Sequence, residues 1–238
     1  MDRHDANRTQ GIRRLLESAA PRSLSPEEYR RKVQKHYAGA AGWLTAWTGF
    51  LTGHESLAGR LFTAQGFDVR GARRILDAGC GNGRYLRFLL REAAPDAVVV
   101  GCDFSRAMLA PARARVQSGQ AHLVVADITR LPFADRTFDA IVCGWVLEHI
   151  LDPIAGLVEL ARVLTPGGKL LVLTTENTLA GAVCSRFYHC RTTSRSELQK
   201  QAAAAGLLWR REYWWTRWHR LLGLGGIIVA LEKPSDER

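Results

Sequence analysis

Residues 76–85 read LDAGCGNGRY, and the rest of the chain takes its meaning from this stretch. Ile75 and Leu76 form the end of an apolar run, and Asp77 closes it. Gly79, Gly81 and Gly83 then fill a turn before RYLRFLLREAA, which has helical periodicity and stops at Pro95. Glycine at these positions leaves room for a ligand to approach the backbone and permits positive φ. The helix that follows presents unpaired N–H groups and a partial positive charge at its start. A dinucleotide fingerprint, G-x-G-x-x-G, fails here. Counted from Gly79 its third glycine falls on Arg84, and counted from Gly81 on Leu86. The spacing G-x-G-x-G argues against a pyrophosphate clamp.

Working outward, apolar segments alternate with helical ones. Strands are expected at Ala97–Cys102, His122–Ala126, Phe138–Val146 and Lys169–Thr174. Helices are expected from Ser105 through AMLAPARARVQ and over Pro153–Leu164, the latter ending at Pro166-Gly167-Gly168. Such alternation implies a parallel sheet covered on both faces. Residues 176–193 read as irregular. Ser194–Ala205 reads as a capped helix ended by Gly206, and strands at Leu207–Trp215 and Ile227–Lys233 close the chain.

Acids stand where these strands end. Asp103 lies 20 residues beyond Gly83, placed to accept the hydroxyl hydrogens of a ribose. Asp127 ends the third strand and could accept from an exocyclic amine of adenine. Each acid alone could be a helix cap or a surface charge. Three of them in register with a glycine turn point to a ligand cradle.

The segments LDAGCGNG, VGCDFS, ADITRLPFADRTFDAIVCGWVLEHI and ELARVLTPGGKLLVLT, taken in order, resemble the class I S-adenosylmethionine-dependent methyltransferases. Within them they are most similar to the type-11 branch that includes ubiquinone- and menaquinone-biosynthesis enzymes. The resemblance covers about residues 73–175. VQKHYAGAAGWL, residues 33–44, also resembles that branch's helical cofactor cap, and the last strand pair its antiparallel sheet edge. The implied fold is a Rossmann-like, mostly parallel seven-stranded sheet with an N-terminal helical cap. The implied cofactor is S-adenosyl-L-methionine. By the same resemblance Gly79, Gly81 and Gly83 line the methionine moiety and Asp77 orients it. Asp103 takes the ribose, Asp127 with Ile128 the adenine, Tyr37 approaches the methionine end, and Cys80 and Phe104 are further cofactor-binding residues. His149 and Glu148, after the fourth strand, are the candidate catalytic pair, and His149 has an unperturbed pKa suited to general-base work. His149 could equally shape the pocket or cap the next helix.

The implied organisation is a basic N-terminus at 1–25, a helical cap or lid at 26–70, and a cofactor domain at 71–238 with a substrate-shaping insertion at 176–220. Ser25-Pro26-Glu27-Glu28 is a helix start. Trp43, Trp47 and Phe50 or Leu51 share a helical face, and 55–70 reads as further amphipathic helix ending near Gly66 or Gly71.

The formal net charge of +10 over 238 residues favours acidic partners without choosing among them. Five cysteines with no C-x-x-C pair argue against a disulfide framework and fit a reducing cytoplasm. His189 between Cys184 and Cys190 makes a poor metal site, and no metal is expected. No apolar run reaches the roughly 20 residues of a membrane span. Two uncharged runs, Ala40–Gly53 and Leu221–Leu231, read as buried core, with peripheral membrane contact as the other reading.

Between 184 and 220 there are eight Lys or Arg against two Asp or Glu, with Trp209, Trp214, Trp215 and Trp218 among them. This stretch fits a solvated sheet edge, a lipid-like or aromatic small molecule, or nucleic acid. Two absences weigh against nucleic acid while leaving it open: no N/D-P-P-Y/F motif follows the fourth strand, and no added RNA-binding module fits. The expected activity is methylation of a small, apolar or aromatic metabolite on oxygen, nitrogen or carbon. A cofactor-binding partner subunit without catalysis is the alternative from another class.

Overall fold

A computed structural model of the chain describes residues 28, 54–62, 66–116, 121–188 and 190–236. Tyr37, His189, the 1–25 segment and most of the expected 26–70 cap lie outside the described residues. Helix α1 (His54–Leu61) is followed by β1 (Arg74–Ala78), α2 (Arg84–Glu92), β2 (Val98–Asp103), α3 (Arg106–Val116), β3 (Ala121–Val125) and β4 (Phe138–Gly144). A single 3₁₀ turn (Leu147–His149) leads to α4 (Pro153–Val163), β5 (Leu164–Thr174), α5 (Leu179–Tyr188) and α6 (Arg195–Ala204). Strand β6 (Leu208–Tyr213), α7 (Arg217–Leu222) and β7 (Ile227–Glu232) complete the order.

The seven strands form one sheet in the order β3-β2-β1-β4-β5-β7-β6. The first five pair in parallel, and β7 pairs antiparallel with both β5 and β6. Period-two alternation sorts the strand side chains onto two faces. Leu76, Cys102, Ile141 and Val172 join Leu157 and Leu160 of α4 and Leu198 of α6 in one core. Ile75, Val99, Val142 and Leu171 join Leu86 and Leu89 of α2 and Leu109 of α3 in the other. Helices therefore cover both faces, as the alternating pattern implies. Chain direction across the sheet reverses between β1 and β4, and ligands of open α/β sheets bind at the strand ends beside such a reversal.

Several local expectations are corrected. Helix α1 ends at Leu61 rather than at Gly66 or Gly71, and the Phe67 N–H donates to the Leu61 carbonyl. Gly66 sits so close to that carbonyl that a Cβ would overlap it. Pro166-Gly167-Gly168 does not separate helix from strand. It lies inside β5 as an irregularity against β4, with Gly167 at φ 74° and its N–H bonded to Lys233 O. The supposedly irregular 176–193 contains α5, whose start is held by Thr178 Oγ1 accepting from the Gly181 N–H at 3.1 Å. The uncharged run Leu221–Leu231 is only half core. Ile227–Leu231 is buried in β7, whereas Leu221, Leu222 and Leu224 are exposed on and after the unexpected helix α7.

Candidate functional site

The glycine turn is built as a tight backbone knot at the tip of β1. The N–H groups of Gly79 and Cys80 both donate to Cys102 O at 2.8 Å, and the Gly83 N–H donates to Cys80 O at 2.8 Å. Gly79, Gly81 and Gly83 take φ values of 75°, 51° and 79°, a region closed to most side chains. Their surroundings differ. A Cβ on Gly79 would overlap Val146, and one on Gly83 would press on Ala112 of α3 at 3.1 Å. A Cβ on Gly81 would meet only the Met108 methyl, at 3.6 Å. Two of the glycines thus let protein pack on protein, and Gly81 is the one that opens onto space. Cys80 contributes backbone only, since its thiol is buried beside Gly101 and burial pushes it far above its usual range.

Three acids gather at neighbouring strand tips. Asp103 is buried, and its two oxygens accept from the Gly81 N–H at 2.9 Å and the Ser105 N–H at 2.8 Å. Burial raises its carboxyl and the two amides pull it back. Each oxygen keeps a further lone pair for a hydroxyl donor. Asp77 lies beneath the same turn with no exposed surface, and neither of its oxygens accepts a hydrogen bond. Burial and the Asp103 charge raise it to about 8, offset in part by the approach of the Leu86 N–H. Asp127 follows β3, next to Ala126, whose N–H donates to Asp103 O at 3.0 Å. Its Oδ1 accepts from both the N–H and the hydroxyl of Thr129, which shapes the turn. Phe104 is half-buried between Asp103 and Ser105. Ile128 is buried against Ile150 and Gly156 in the core.

Beyond β4 the chain carries Trp145 in the left-handed region at φ 60°, an uncommon conformation for an indole-bearing residue. Its Nε1–H donates to Tyr85 Oη at 3.0 Å, and the Tyr85 ring fills the space where a Cβ on Gly144 would stand. Sequence reasoning passed over Trp145, Tyr85 and Gly144. A glycine directly before a tryptophan at a strand end was the available signal. The next turn holds the predicted pair. Glu148 is buried, and its oxygens accept from Thr174 Oγ1 at 2.9 Å and Thr175 Oγ1 at 2.7 Å. Burial raises its carboxyl to about 7 against those two bonds. Glu148 O also accepts from the Arg191 N–H, so this one residue ties the turn to β5 and to the segment before α6. His149 is half-buried, with its N–H on Val146 O, and Val146 is the side chain that touches Gly79. The structure therefore brings Asp77, Gly81, Asp103, Asp127 and the His149 turn to one edge of the sheet. It places the Glu148 carboxyl inside the protein rather than at the rim.

These residues fit an adenosyl sulfonium. A buried carboxyl that lacks donors is completed by a cation, and Gly81 leaves its neighbour's space open. Asp103 retains acceptor capacity for vicinal hydroxyls. Among the described residues no group of three or more His, Cys, Asp and Glu gathers as metal ligands would.

A reversing parallel sheet with an antiparallel last pair, bearing this turn, defines the class I S-adenosylmethionine-dependent methyltransferase fold. Residues 76–172 match the family described as methyltransferase domain. The chain is 34% identical over 143 residues to a ubiquinone/menaquinone biosynthesis C-methyltransferase of Desulfotalea psychrophila, covering 60% of this chain and 58% of that protein. It is 43% identical over 103 residues to a demethylmenaquinone methyltransferase of Thermus thermophilus, covering 42% and 46%. The chain thus spans about half the length of the curated relatives it matches. Among solved structures it resembles a chain of the complex between the Haloferax volcanii Trm112 methyltransferase activator and a methyltransferase. There the TM-score is 0.69 and the identity 21%, over 87% of this chain and 99% of that one. At that identity the likeness concerns the fold.

Proposed function

We propose that the chain transfers a methyl group from S-adenosylmethionine to a small apolar or aromatic acceptor, with a quinone-type ring as the first class to test. The observation that carries this reading is the convergence of a donor-less buried Asp77, the open Gly81 and the bonded Asp103 at one sheet edge. The two relatives named above are quinone-pathway methyltransferases by name, which supports the acceptor class.

Bound there, the cofactor supplies a methyl already activated on a sulfonium, so the protein's work is placement and, where the acceptor needs it, removal of a proton. In this reading Asp103 takes the ribose hydroxyls on its spare lone pairs, with Phe104 beside it. Asp127 and Ile128 bound the adenine end. The Gly79–Gly83 turn accommodates the methionine end, where Tyr37 of the 26–70 lid would also approach. Asp77 acts through its field from beneath the turn, because charges interact strongly across a poorly polarisable interior. His149 is the base candidate. Glu148 serves by clamping the turn that carries it. The 176–220 insertion shapes the acceptor side.

The Arg/Trp-rich stretch gives little support to a nucleic-acid acceptor. Arg195 pairs with Glu176 and Glu212 and lies 4.3 Å over the Trp214 ring, while Arg210 pairs with Glu232. Trp215 is buried, with its Nε1–H on Gly225 O. These groups are engaged within the fold, whereas Arg217, Trp218 and Arg220 of the same stretch are exposed.

The decisive experiment incubates the protein with methyl-labelled cofactor and a cell extract and identifies the labelled products. A labelled small apolar molecule is the expected result. Labelled RNA or DNA would overturn the acceptor class, and cofactor binding without any labelled product would favour a non-catalytic partner. In parallel, Asp103→Ala should weaken cofactor affinity by calorimetry on the order of tenfold or more. Near-native affinity would refute the ribose assignment.

A further inference from the structure

Six of the twelve large apolar side chains exposed among the described residues stand on two helices. Leu179, Val183 and Phe187 recur every fourth residue along α5, and Trp218, Leu221 and Leu222 share one face of α7. All six are more than half exposed. Side chains at such spacing form a continuous stripe. Apolar residues scattered singly over a surface need no explanation, whereas stripes of this kind do.

Sheet topology starts both helices from the same end of the sheet. Helix α5 leaves from the carboxyl end of β5, and α7 joins the carboxyl end of β6 to the start of β7. At that end Thr174 of β5 is paired with Ile227 of β7, and Tyr213 of β6 with Ile228. Neighbouring strands lie about 4.8 Å apart, so the two excursions rise from strand ends within roughly 10 Å of each other. This is the edge of the sheet that carries the glycine turn and the acids.

Charge selects the occupant. No Asp or Glu occurs between 177 and 188 or between 213 and 231, whereas Arg186, Arg217 and Arg220 do. Arg217 and Arg220 are exposed, and neither has a carboxylate partner among the described residues. The nearest acids in sequence are already taken, Glu176 and Glu212 by Arg195 and Glu232 by Arg210. An apolar stripe flanked by arginines and free of acids matches a surface that is anionic outside and hydrocarbon beneath. We infer that the α5–α7 face docks on the surface of an anionic lipid bilayer, with Phe187, Trp218, Leu221 and Leu222 entering the headgroup boundary. Among the described residues no helix is long and apolar enough to cross a membrane, so this contact is lateral.

The test uses the full chain and vesicles of phosphatidylcholine alone or mixed with phosphatidylglycerol, separated by sedimentation. The protein should sediment with the mixed vesicles and little with phosphatidylcholine, and salt should release part of it. Arg217→Ala with Arg220→Ala should weaken partitioning on the order of thirtyfold, from about 1 kcal/mol per arginine near an anionic surface. Leu221→Ser with Leu222→Ser, and Val183→Ser with Phe187→Ser, should each weaken it as well. All three double variants alter exposed side chains and should keep the wild-type circular dichroism and cofactor affinity. Absence of vesicle binding would overturn the inference, whether another part of the chain covers the face or a second copy does. A concentration-dependent dimer abolished by the leucine pair, with no vesicle uptake, would assign the face to a protein instead. Variants that sediment like wild type would overturn it too. None of these readouts depends on methyl transfer, so the outcome is separate from that of the catalytic reading.

Discussion

Asp77 is buried with neither oxygen hydrogen-bonded and only the Leu86 N–H approaching, and an ionised carboxylate there is costly until a cation arrives. With its carboxyl raised to about 8, the ligand-free protein keeps it largely protonated at neutral pH. A cationic ligand favours the ionised form, so binding must expel that proton. Cofactor affinity should therefore fall as pH drops below about 8, approaching tenfold per pH unit, when followed by calorimetry in buffers of differing ionisation enthalpy. Asp77→Asn should bind weakly and lose this dependence, and an unchanged pH profile in that variant would remove Asp77 from the binding equilibrium. His149 and Glu148 separate by a similar comparison. His149→Ala should lower turnover by about 10² to 10⁴ if it moves the proton, with cofactor affinity preserved. Glu148→Gln keeps the shape of the side chain and one acceptor for the two threonine hydroxyls. It should cost roughly 1 to 3 kcal/mol of stability in denaturant titration while leaving cofactor affinity near wild type. Unchanged turnover in His149→Ala would withdraw it as base.

The glycine turn shows what spacing in a sequence can and cannot disclose. G-x-G-x-G after a strand and before a helix announces a ligand-bearing turn, and short continuous apolar runs announce the strands behind it. Nothing in the spacing distinguishes Gly81, which faces space, from Gly79 and Gly83, which face Val146 and Ala112. That distinction depends on residues about 30 to 65 positions away. Gly79→Ala should accordingly destabilise the fold by about 1 to 3 kcal/mol through overpacking and strain at positive φ, read as a loss in thermal unfolding. Gly81→Ala should cost less stability, and its effect should concentrate in cofactor affinity. The helices α5 and α7 escaped a reading of the sequence for a related reason. Neither has a buried apolar face of ordinary width, and α7 is six residues long, so periodicity had little to act on. Glu148 was visible as an acid after a strand. Its burial was not, because Thr174 at the end of β5 and Thr175 just after it reach it from 26 and 27 positions away.

Asp77, Asp103 and Glu148 also set how the entire fold responds to pH. Each carboxyl is raised above its ordinary value by burial. In the window from about 4 to 8 the folded chain therefore holds protons that the unfolded chain has released. Stability of the ligand-free protein should decline as pH rises through that window, the contribution being complete below about 4 and lost above about 8. Thermal unfolding at pH 5, 6.5 and 8 would check this, and a maximum at pH 8 without ligand would contradict it. Saturating cofactor should flatten the trend, since its charge favours the ionised acids.

The order β5-β7-β6 has a consequence for how the chain becomes a protein. The strand made last is inserted between two made earlier, with Lys169 to Thr174 on one flank and Leu208 to Tyr213 on the other. Until residues 227–232 emerge from the ribosome, β6 has no strand to pair with and the flank of β5 stands open. Lys233 then fastens the insertion, its Nζ donating to the carbonyls of Ala161 and Leu164 at 2.7 and 2.9 Å. Nascent chains halted before Ile227 would carry two adhesive borders, so the sheet closes only once β7 has been made.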